Sequence, residues 1–195
     1  MKGRVNKSLC HCALAALLLG ACSKAPESPV AKTNPKPTQR YEITVELVDP
    51  PADIKHISGE AHFSIPHVAC MPTPDRIAGY TPGSSYIKNF SLTYAGGNTY
   101  KGHIFLDWPV DEDYYGLGVC KWEINTVGAV IDFGAYMQRP VLWGGTDFPS
   151  AGRKWWCRRP DSQRIIENCT SPSDPEKIEL ESRDSWLVIL SAHRK

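Results

Sequence analysis

Apolar and polar residues alternate along several short segments of this chain, and this period of two restricts the fold more than any other feature. Residues 41–48 show it most clearly, with apolar side chains at Tyr41, Ile43, Val45 and Leu47. Alternation places one face of a β-strand in a core and the other in solvent. Residues 57–65 repeat the pattern, and no window of a dozen residues has helical spacing. The sequence therefore predicts strands rather than helices.

Further alternating segments are separated by clusters of Gly, Pro, Asn and Asp, which is typical of antiparallel sheets. Residues 90–94 run into the sequence AGGN and then into residues 100–108, and the glycines favour a hairpin there. Other strands are predicted at residues 118–127, 129–133, 154–158, 164–169, 177–181 and 186–191. Many short strands of this kind predict an all-β domain, folded as an antiparallel β-sandwich or a related β-fold.

The first residues have the pattern of a targeting segment. Basic residues precede an apolar run at residues 12–20, which is too short to span a bilayer. The run leads into Leu19, Gly20, Ala21 and Cys22, which resemble the lipobox of bacterial lipoproteins. The resemblance implies cleavage after Ala21 and a diacylglycerol and an acyl chain on Cys22. Ser23 at the next position implies the outer membrane, with the protein facing the periplasm.

The segment after the lipobox is rich in proline and poor in apolar side chains. Pro26, Pro29, Pro35 and Pro37 favour an extended conformation. At about 3.1 Å per residue, such a segment would hold a folded domain up to roughly 55 Å from a bilayer. The predicted organisation is a signal peptide at residues 1–21, a lipidated cysteine with a tether at residues 22–40, and a single β domain at residues 41–195.

The cysteine count agrees with this organisation. Removing the signal leaves five cysteines, and lipid on Cys22 leaves four that are able to form two disulfides in an oxidising compartment. The favoured pairs are Cys157 with Cys169, which flank a short loop between two predicted strands, and Cys70 with Cys120. Four cysteines allow three connectivities, and the sequence does not choose among them. Close C-x-x-C spacing is missing, so no zinc site is favoured and no metal or other cofactor is expected.

The charge distribution restricts the class of partner. The whole chain has 22 basic and 21 acidic residues, which gives a formal charge of +1. The excess of basic residues lies in residues 1–40, so residues 41–195 carry a charge of about −5. A nucleic-acid partner is disfavoured, because phosphate binding needs a basic face. A mildly acidic domain favours either an uncharged partner or a basic one.

Sequence motifs of catalysis are missing, since the chain has no G-x-S-x-G elbow, H-E-x-x-H helix or phosphate-binding loop. A triad scattered along the chain is compatible with that absence. The best candidate group is His56, Glu60 and His62, which alternation places on one face of a strand. Glu60 and His62 would lie about 7 Å apart, whereas His56 would lie about 20 Å from His62. A polar face in solvent is the favoured interpretation, and a non-enzymatic protein is expected.

A second candidate is the acidic sequence DWPVDEDYY, which holds Asp107, Asp111, Glu112 and Asp113. Calcium prefers carboxylate oxygens, but these residues lack the order of a calcium loop. A solvated loop is the favoured interpretation. The alternative is an acidic docking surface formed by Asp111, Glu112 and Asp113, which would raise the rate of association with a basic protein.

The sequence RKWWCRRP carries the strongest indication of a binding surface. Adjacent strand residues point to opposite faces, so Trp155 and Trp156 do not enter the same core. If Trp155 shares the inner face with Cys157, then Trp156 faces outward beside Lys154 and Arg158. Tryptophan with arginine is typical of binding hot spots. The alternative is that a loop or a second layer covers Trp156.

Together these features predict a membrane-anchored periplasmic lipoprotein that acts by binding another protein. The favoured role is an immunity or inhibitor protein against a toxin that acts in the periplasm, because a tethered acidic domain with an exposed aromatic patch suits capture of an incoming protein. The first alternative is an envelope or secretion-system assembly lipoprotein. The second is a glycan-binding or hydrolytic envelope domain, in which Trp156 or Trp143, which lies in a turn-like sequence, lines a sugar-binding surface.

Overall fold

The structure of the chain is a computed structural model, which describes residues 27–72, 83–145, 148, 150–158, 169–171 and 185–195. These residues form β-strands and one short 3-10 turn, Val68–Cys70, without an α-helix. The strands are β1 (Arg40–Val48), β2 (His56–Ser64), β3 (Tyr86–Ser91), β4 (Thr93–Gly96), β5 (Thr99–Phe105), β6 (Glu123–Asp132), β7 (Met137–Gln138), β8 (Val141–Trp143), β9 (Ser150–Arg158), β10 (Cys169–Thr170) and β11 (Ser185–Arg194).

The strands are arranged in two antiparallel sheets packed face to face. The larger sheet has the order β10-β9-β11-β1-β5-β4. The smaller sheet has the order β3-β2-β6-β7, and β8 also pairs with β6. The prediction of an all-β antiparallel sandwich is confirmed.

Alternation decides which side chains of each strand enter the core between the sheets. On β1 the residues Ile43, Val45 and Leu47 are buried, and the polar residues between them are more exposed. β2 buries every second residue in the same way. The strands β5, β6, β8 and β11 complete the core with Ile104, Val127, Ala129, Ile131, Leu142, Trp186, Val188, Leu190 and Ala192.

Two glycines make room for an aromatic ring between the sheets. Phe90 on β3 is paired with Gly59 on β2, and a Cβ added to Gly59 would lie 2.2 Å from the Phe90 ring. Gly102 on β5, in the opposite sheet, is also close, since its Cβ would lie 2.9 Å from the same ring. The ring therefore fills a space that any larger residue at either glycine would occupy.

Both favoured disulfides are present. Cys157 and Cys169 lie directly opposite each other in the β9–β10 pair, with their Cα atoms 4.0 Å apart. Cys70 in the 3-10 turn is bonded to Cys120, which precedes β6, and their Cα atoms are 5.3 Å apart. The second bond ties the segment after β2 to the loop before β6.

The strand boundaries differ from the predicted ones in several places. The sequence predicts two strands across residues 118–133, but the structure has one, β6, because Gly128 continues the extended chain. Residues 90–94 divide between β3 and β4, which belong to different sheets. β7 and β8 are not predicted, because two or three residues are too short to show a period. The predicted strand at residues 177–181 and most of that at residues 164–169 lie outside the described residues.

Residues 27–40, which we call the N-terminal strap, lie along the β domain. The backbone N–H of Asn34 donates to the carbonyl of Trp108 at 2.6 Å. The N–H of Val110 donates to the carbonyl of Lys32 at 2.9 Å. Proline lacks a backbone donor, but the amides and carbonyls between the strap's prolines still pair with a neighbouring segment.

The end of the strap is fixed by one carboxylate. Asp107 accepts hydrogen bonds from the backbone N–H groups of Thr38 and Gln39 and from the Thr38 hydroxyl, at 2.8–3.2 Å. Desolvation raises the pKa of Asp107, but these donors outweigh it and hold the pKa below its ordinary value. Residues of the segment assigned to a tether therefore hydrogen-bond to the β domain, which the sequence did not predict.

Candidate functional site

The two adjacent tryptophans of β9 face opposite sides of the larger sheet, as the alternation predicts. Trp155 is on the inner side, and its indole N–H donates to the carbonyl of Val141 at 2.9 Å. Trp156 is half-buried on the outer side, which also carries the exposed Lys154 and Arg158. The structure thus brings together the three residues of β9 that the sequence assigned to a partner surface.

Trp156 belongs to an apolar row that crosses the outer face of the larger sheet. In the strand register, Trp156 is opposite Leu187 on β11, and Leu187 is opposite Val48 on β1. Ile189 is the next outward residue along β11. We call these four side chains the apolar row, and all of them are half-buried.

Sequence reasoning found Trp156 but not the other members of the apolar row. A signal for them existed in β11, where residues 186–190 are apolar without interruption. An uninterrupted run is typical of a strand that is apolar on both faces. Val48 had no such signal, because only the register between β1 and β11 places it beside Leu187.

Charged side chains border the apolar row. Lys154 and Glu46 lie on either side of Ile189 in the neighbouring strands. Farther along β1, Glu42 pairs with Lys101 and Lys195, each at 3.3 Å. Desolvation raises the pKa of Glu42, but the two lysines outweigh it and lower the pKa below its ordinary value. The outer face therefore has an apolar part with a charged border.

The acidic loop is used internally. Asp111 accepts the backbone N–H of Trp122 at 2.9 Å. Glu112 forms an ion pair with Lys32 of the strap at 2.6 Å. The hydrogen bond and the charge of Glu112 raise the pKa of Lys32. These contacts show the two carboxylates organising the loop and the strap.

Asp113 shapes the rest of this loop. Its carboxylate accepts the backbone N–H groups of Tyr115 at 3.3 Å and Leu117 at 3.1 Å. Desolvation raises the pKa of Asp113, but hydrogen bonds from the amides of Gly118, Tyr115, Gly116 and Leu117 outweigh it and lower the pKa. Asp113 is exposed, as is Asp111. Any docking by the predicted acidic surface would therefore use carboxylates that already have partners.

A second candidate surface lies on the outer face of the smaller sheet. The Nε2 atom of His62 lies 2.6 Å from Oε1 of Glu60, and Nη1 of Arg139 donates to the same oxygen at 3.0 Å. His56 is at the far end of β2, opposite Asp132. The structure therefore joins Glu60 and His62, as predicted, and separates His56 from them.

Trp143 lies across a groove from this cluster. In the register, His62 is opposite Thr126 on β6, and Thr126 is opposite Trp143 on β8. Glu60 is opposite Gly128 on β6, and β8 approaches closely at this glycine. Trp143 is 46% exposed. We call this space of about 260 Å³ the polar groove; it is lined by Glu60, His62, Thr126, Gly128, Arg139 and Trp143, together with Ala129, Val130 and Val141.

A cavity of about 500 Å³ lies where the strap meets the start of β6. Asn34 and Gln39 of the strap line it, together with Asp107, Asp111 and Trp122. Both carboxylates accept backbone hydrogen bonds, so the cavity is built around contacts that hold the strap and loop.

The described ranges contain no group of three His, Cys, Asp or Glu side chains placed to hold a metal ion. Within those same ranges, no helix is long and apolar enough to cross a membrane. No protein-family model, curated protein or solved structure matches the chain. Conclusions about function therefore depend on the surfaces described above.

Proposed function

We propose that this chain is a lipid-anchored periplasmic protein that acts by binding another protein, as an immunity or inhibitor protein against a toxin that works in the periplasm. The apolar row is the observation that carries the proposal. Trp156, Leu187, Ile189 and Val48 lie side by side on the outer face of the larger sheet, with Lys154 and Arg158 next to the tryptophan.

The composition of this surface is that of a protein interface. Binding energy is concentrated in a few tryptophan, tyrosine and arginine side chains that become fully desolvated, and charged residues surround them. Trp156 is such an aromatic side chain. Arg158 lies beside it, and the ion pairs of Glu42 lie farther along the sheet. A half-buried indole loses its remaining exposed surface when a partner covers it, which stabilises the complex.

The disulfides support the lipid anchor. Two disulfide bonds use four cysteines, Cys70 with Cys120 and Cys157 with Cys169. Once the predicted signal is removed, Cys22 is the one cysteine in the remaining sequence without a role in these bonds. Acylation of Cys22 accounts for it and agrees with the lipobox resemblance.

Pull-down experiments test the protein-binding role. The bait is residues 23–195 with both disulfides intact, which includes every described residue, and the sources are periplasm and proteins secreted by competing strains. We expect one stoichiometric protein to be retained by the wild type and lost with Trp156→Ala. Trp143→Ala is the matched control, because it removes a partly exposed indole from the opposite sheet. Equal recovery with both variants would refute the role of the apolar row.

The partner's own activity separates the immunity role from an assembly role. An immunity protein inhibits an enzyme that comes from outside the envelope machinery of its own cell. An assembly lipoprotein binds a constituent of the same envelope. Enzyme assays of the recovered partner, with and without one equivalent of this protein, decide between the two.

A second candidate function is glycan binding, with or without hydrolysis, in the polar groove. The observation that favours it is the position of Trp143 across the groove from Glu60 and His62. An exposed ring beside convergent polar groups is the common arrangement of small-ligand sites. Calorimetry with soluble peptidoglycan fragments tests it, and affinity should be lost with Trp143→Ala and retained with Trp156→Ala. Turnover lost with Glu60→Gln would establish a hydrolase, and the absence of binding would remove this candidate.

A further inference from the structure

Four aliphatic side chains stand out into solvent near the Cys70–Cys120 disulfide. Val30 is 83% exposed, Val68 59%, Leu117 54% and Val119 59%. We call these four residues the apolar end. Exposed aliphatic side chains scattered singly are ordinary on a protein surface, whereas a cluster of them marks an interaction site.

Covalent and backbone contacts bring these residues to one end of the molecule. Val68 belongs to the same 3-10 turn as Cys70, and Val119 directly precedes Cys120, so the disulfide holds the two valines near each other. Leu117 is two residues farther back in the same loop.

The strap reaches the same end. Glu112 makes a β-bridge with Cys120 and an ion pair with Lys32, which lies two residues after Val30. The phenol of Tyr115 donates to the carbonyl of Glu27 at 2.7 Å. The described chain therefore starts beside the loop that carries Leu117 and Val119.

The loop holds Leu117 outward in a fixed shape. Gly116 and Gly118 on either side of it have φ angles of +71° and +108°, which few side chains tolerate. The Asp113 carboxylate accepts the N–H of Leu117 itself. An exposed leucine held by such a frame is preorganised for contact, since little conformational entropy remains to be lost.

We propose that the apolar end rests on the lipid bilayer and orients the domain against the membrane. The inference depends on the proposed lipidation of Cys22. Cys22 is five residues before Glu27, and five residues span at most about 18 Å. With the strap packed against the domain, the anchor holds this end, rather than any other, next to the lipid.

The contact is apolar rather than electrostatic. Exposed acids at this end, Asp111, Asp113 and Glu123, outnumber the exposed lysines, Lys32 and Lys121. Anionic lipids would therefore not strengthen it through a basic patch. Four partly inserted side chains would bind a bilayer weakly on their own. The lipid anchor holds them close to the bilayer at a high effective concentration, so their contact with the lipid is intramolecular.

Quenching by lipid tests the inference separately from lipidation in the cell. The chain from Cys22 to Lys195, with its disulfides formed, is coupled through the Cys22 thiol to maleimide lipid in phosphatidylcholine vesicles with brominated acyl chains. Leu117→Trp places a probe at the apolar end. Tyr94→Trp, at a position that is 61% exposed on β4, is the matched control, because the β4–β5 hairpin lies at the other end of β5 from the strap. We expect quenching of the added tryptophan to be several-fold greater in Leu117→Trp, and unchanged by salt.

Each outcome has a distinct meaning. Equal quenching in the two variants would overturn the inference, and quenching that appears only with anionic lipid and disappears in salt would replace it with an electrostatic contact. The mass of the natural chain purified from a bacterial host reports acylation independently. If the natural chain is acylated but quenching is not selective, only the contact of the apolar end with the bilayer is refuted. If quenching is selective but the natural chain is not acylated, only the natural lipid anchor is refuted.

Discussion

Among the described residues, Gln138 is the one polar side chain that is buried. It lies on β7 of the smaller sheet and makes hydrogen bonds to the larger sheet. Its amide nitrogen donates to the carbonyl of Arg158 at 2.7 Å, and its amide oxygen accepts from the indole of Trp186 at 3.2 Å. A buried polar group costs free energy unless it is paired. Its replacement leaves the buried indole N–H of Trp186 without this acceptor.

Gln138→Leu should lower the free energy of unfolding by about 1–3 kcal/mol, because an unpaired buried donor costs about that much. Trp186→Phe removes the indole donor while keeping a ring in the core. The double variant should be less destabilised than the sum of the single ones, because the donor left by the first change is absent. Urea unfolding of the four proteins measures the coupling, and strict additivity would show that the bond contributes nothing.

Asp107 makes stability depend on pH in the acid range. Its pKa is lowered in the folded protein, so its contribution is fully present above the ordinary aspartate pKa and is lost as the pH falls through the lower folded value. Asp107→Asn should reduce the free energy of unfolding by about 1–2 kcal/mol at neutral pH, because hydrogen bonds to a charged acceptor are lost. The difference from the wild type should shrink below the ordinary aspartate pKa of 3.8. Asp53→Asn, at an exposed loop position, is the control, and a constant difference across the pH range would contradict the assignment.

At the level of the elements, strands that carry a local pattern were predictable and strands defined by their neighbours were not. β1, β2 and β11 show alternation or an apolar run in the sequence itself, and the predicted hairpin is present with Gly96 and Gly97 at positive φ. β7 and β8 are defined by their pairing with β6, which the local sequence does not show.

The candidate surfaces divide in the same way. Alternation on a single strand placed Trp156 outward and Glu60 beside His62, as observed. Trp143 lies at the polar groove because β8 pairs with β6. Arg139 lies there because it binds Glu60, from which it is separated by 79 residues in sequence. Pairings between distant segments leave no periodic signal, so the complete groove was beyond the reach of the sequence.

Gly128 lets β8 approach β6, since a Cβ at this position would lie 2.1 Å from the carbonyl oxygen of Pro140. Gly128→Ala should destabilise the fold by about 1–3 kcal/mol, because backbone must move to admit the methyl group. It should also shift Trp143 and weaken any ligand of the polar groove. Gly83→Ala is the matched control, since no atom lies within 4 Å of its Cβ position. Equal thermal midpoints for the two variants would show that β8 adjusts without cost.

On the scale of the whole molecule, the strap decides whether the domain is held close to its anchor or at the end of a tether. If residues 27–40 belong to the folded unit, removing residues 27–38 should lower the free energy of unfolding by about 2–4 kcal/mol, through the loss of several hydrogen bonds at about 1 kcal/mol each. Deletion of residues 23–26 alone is the control and should have little effect. Equal stability of the two truncated proteins in denaturant titrations would restore the interpretation of this segment as a free tether.

The two disulfides constrain the molecule to different degrees. Cys70–Cys120 spans 50 residues and Cys157–Cys169 spans 12. In the chain-entropy model, closing these loops stabilises the fold by about 4 and about 3 kcal/mol, respectively. Replacing both cysteines of the first pair with serine should therefore lower the unfolding free energy more than replacing those of the second. The first replacement should also abolish selective quenching at Leu117, because the disulfide holds its loop beside the 3-10 turn, while the second should leave that quenching intact. If only the second replacement abolished the quenching, the disulfide between β9 and β10 would be the one that shapes the apolar end.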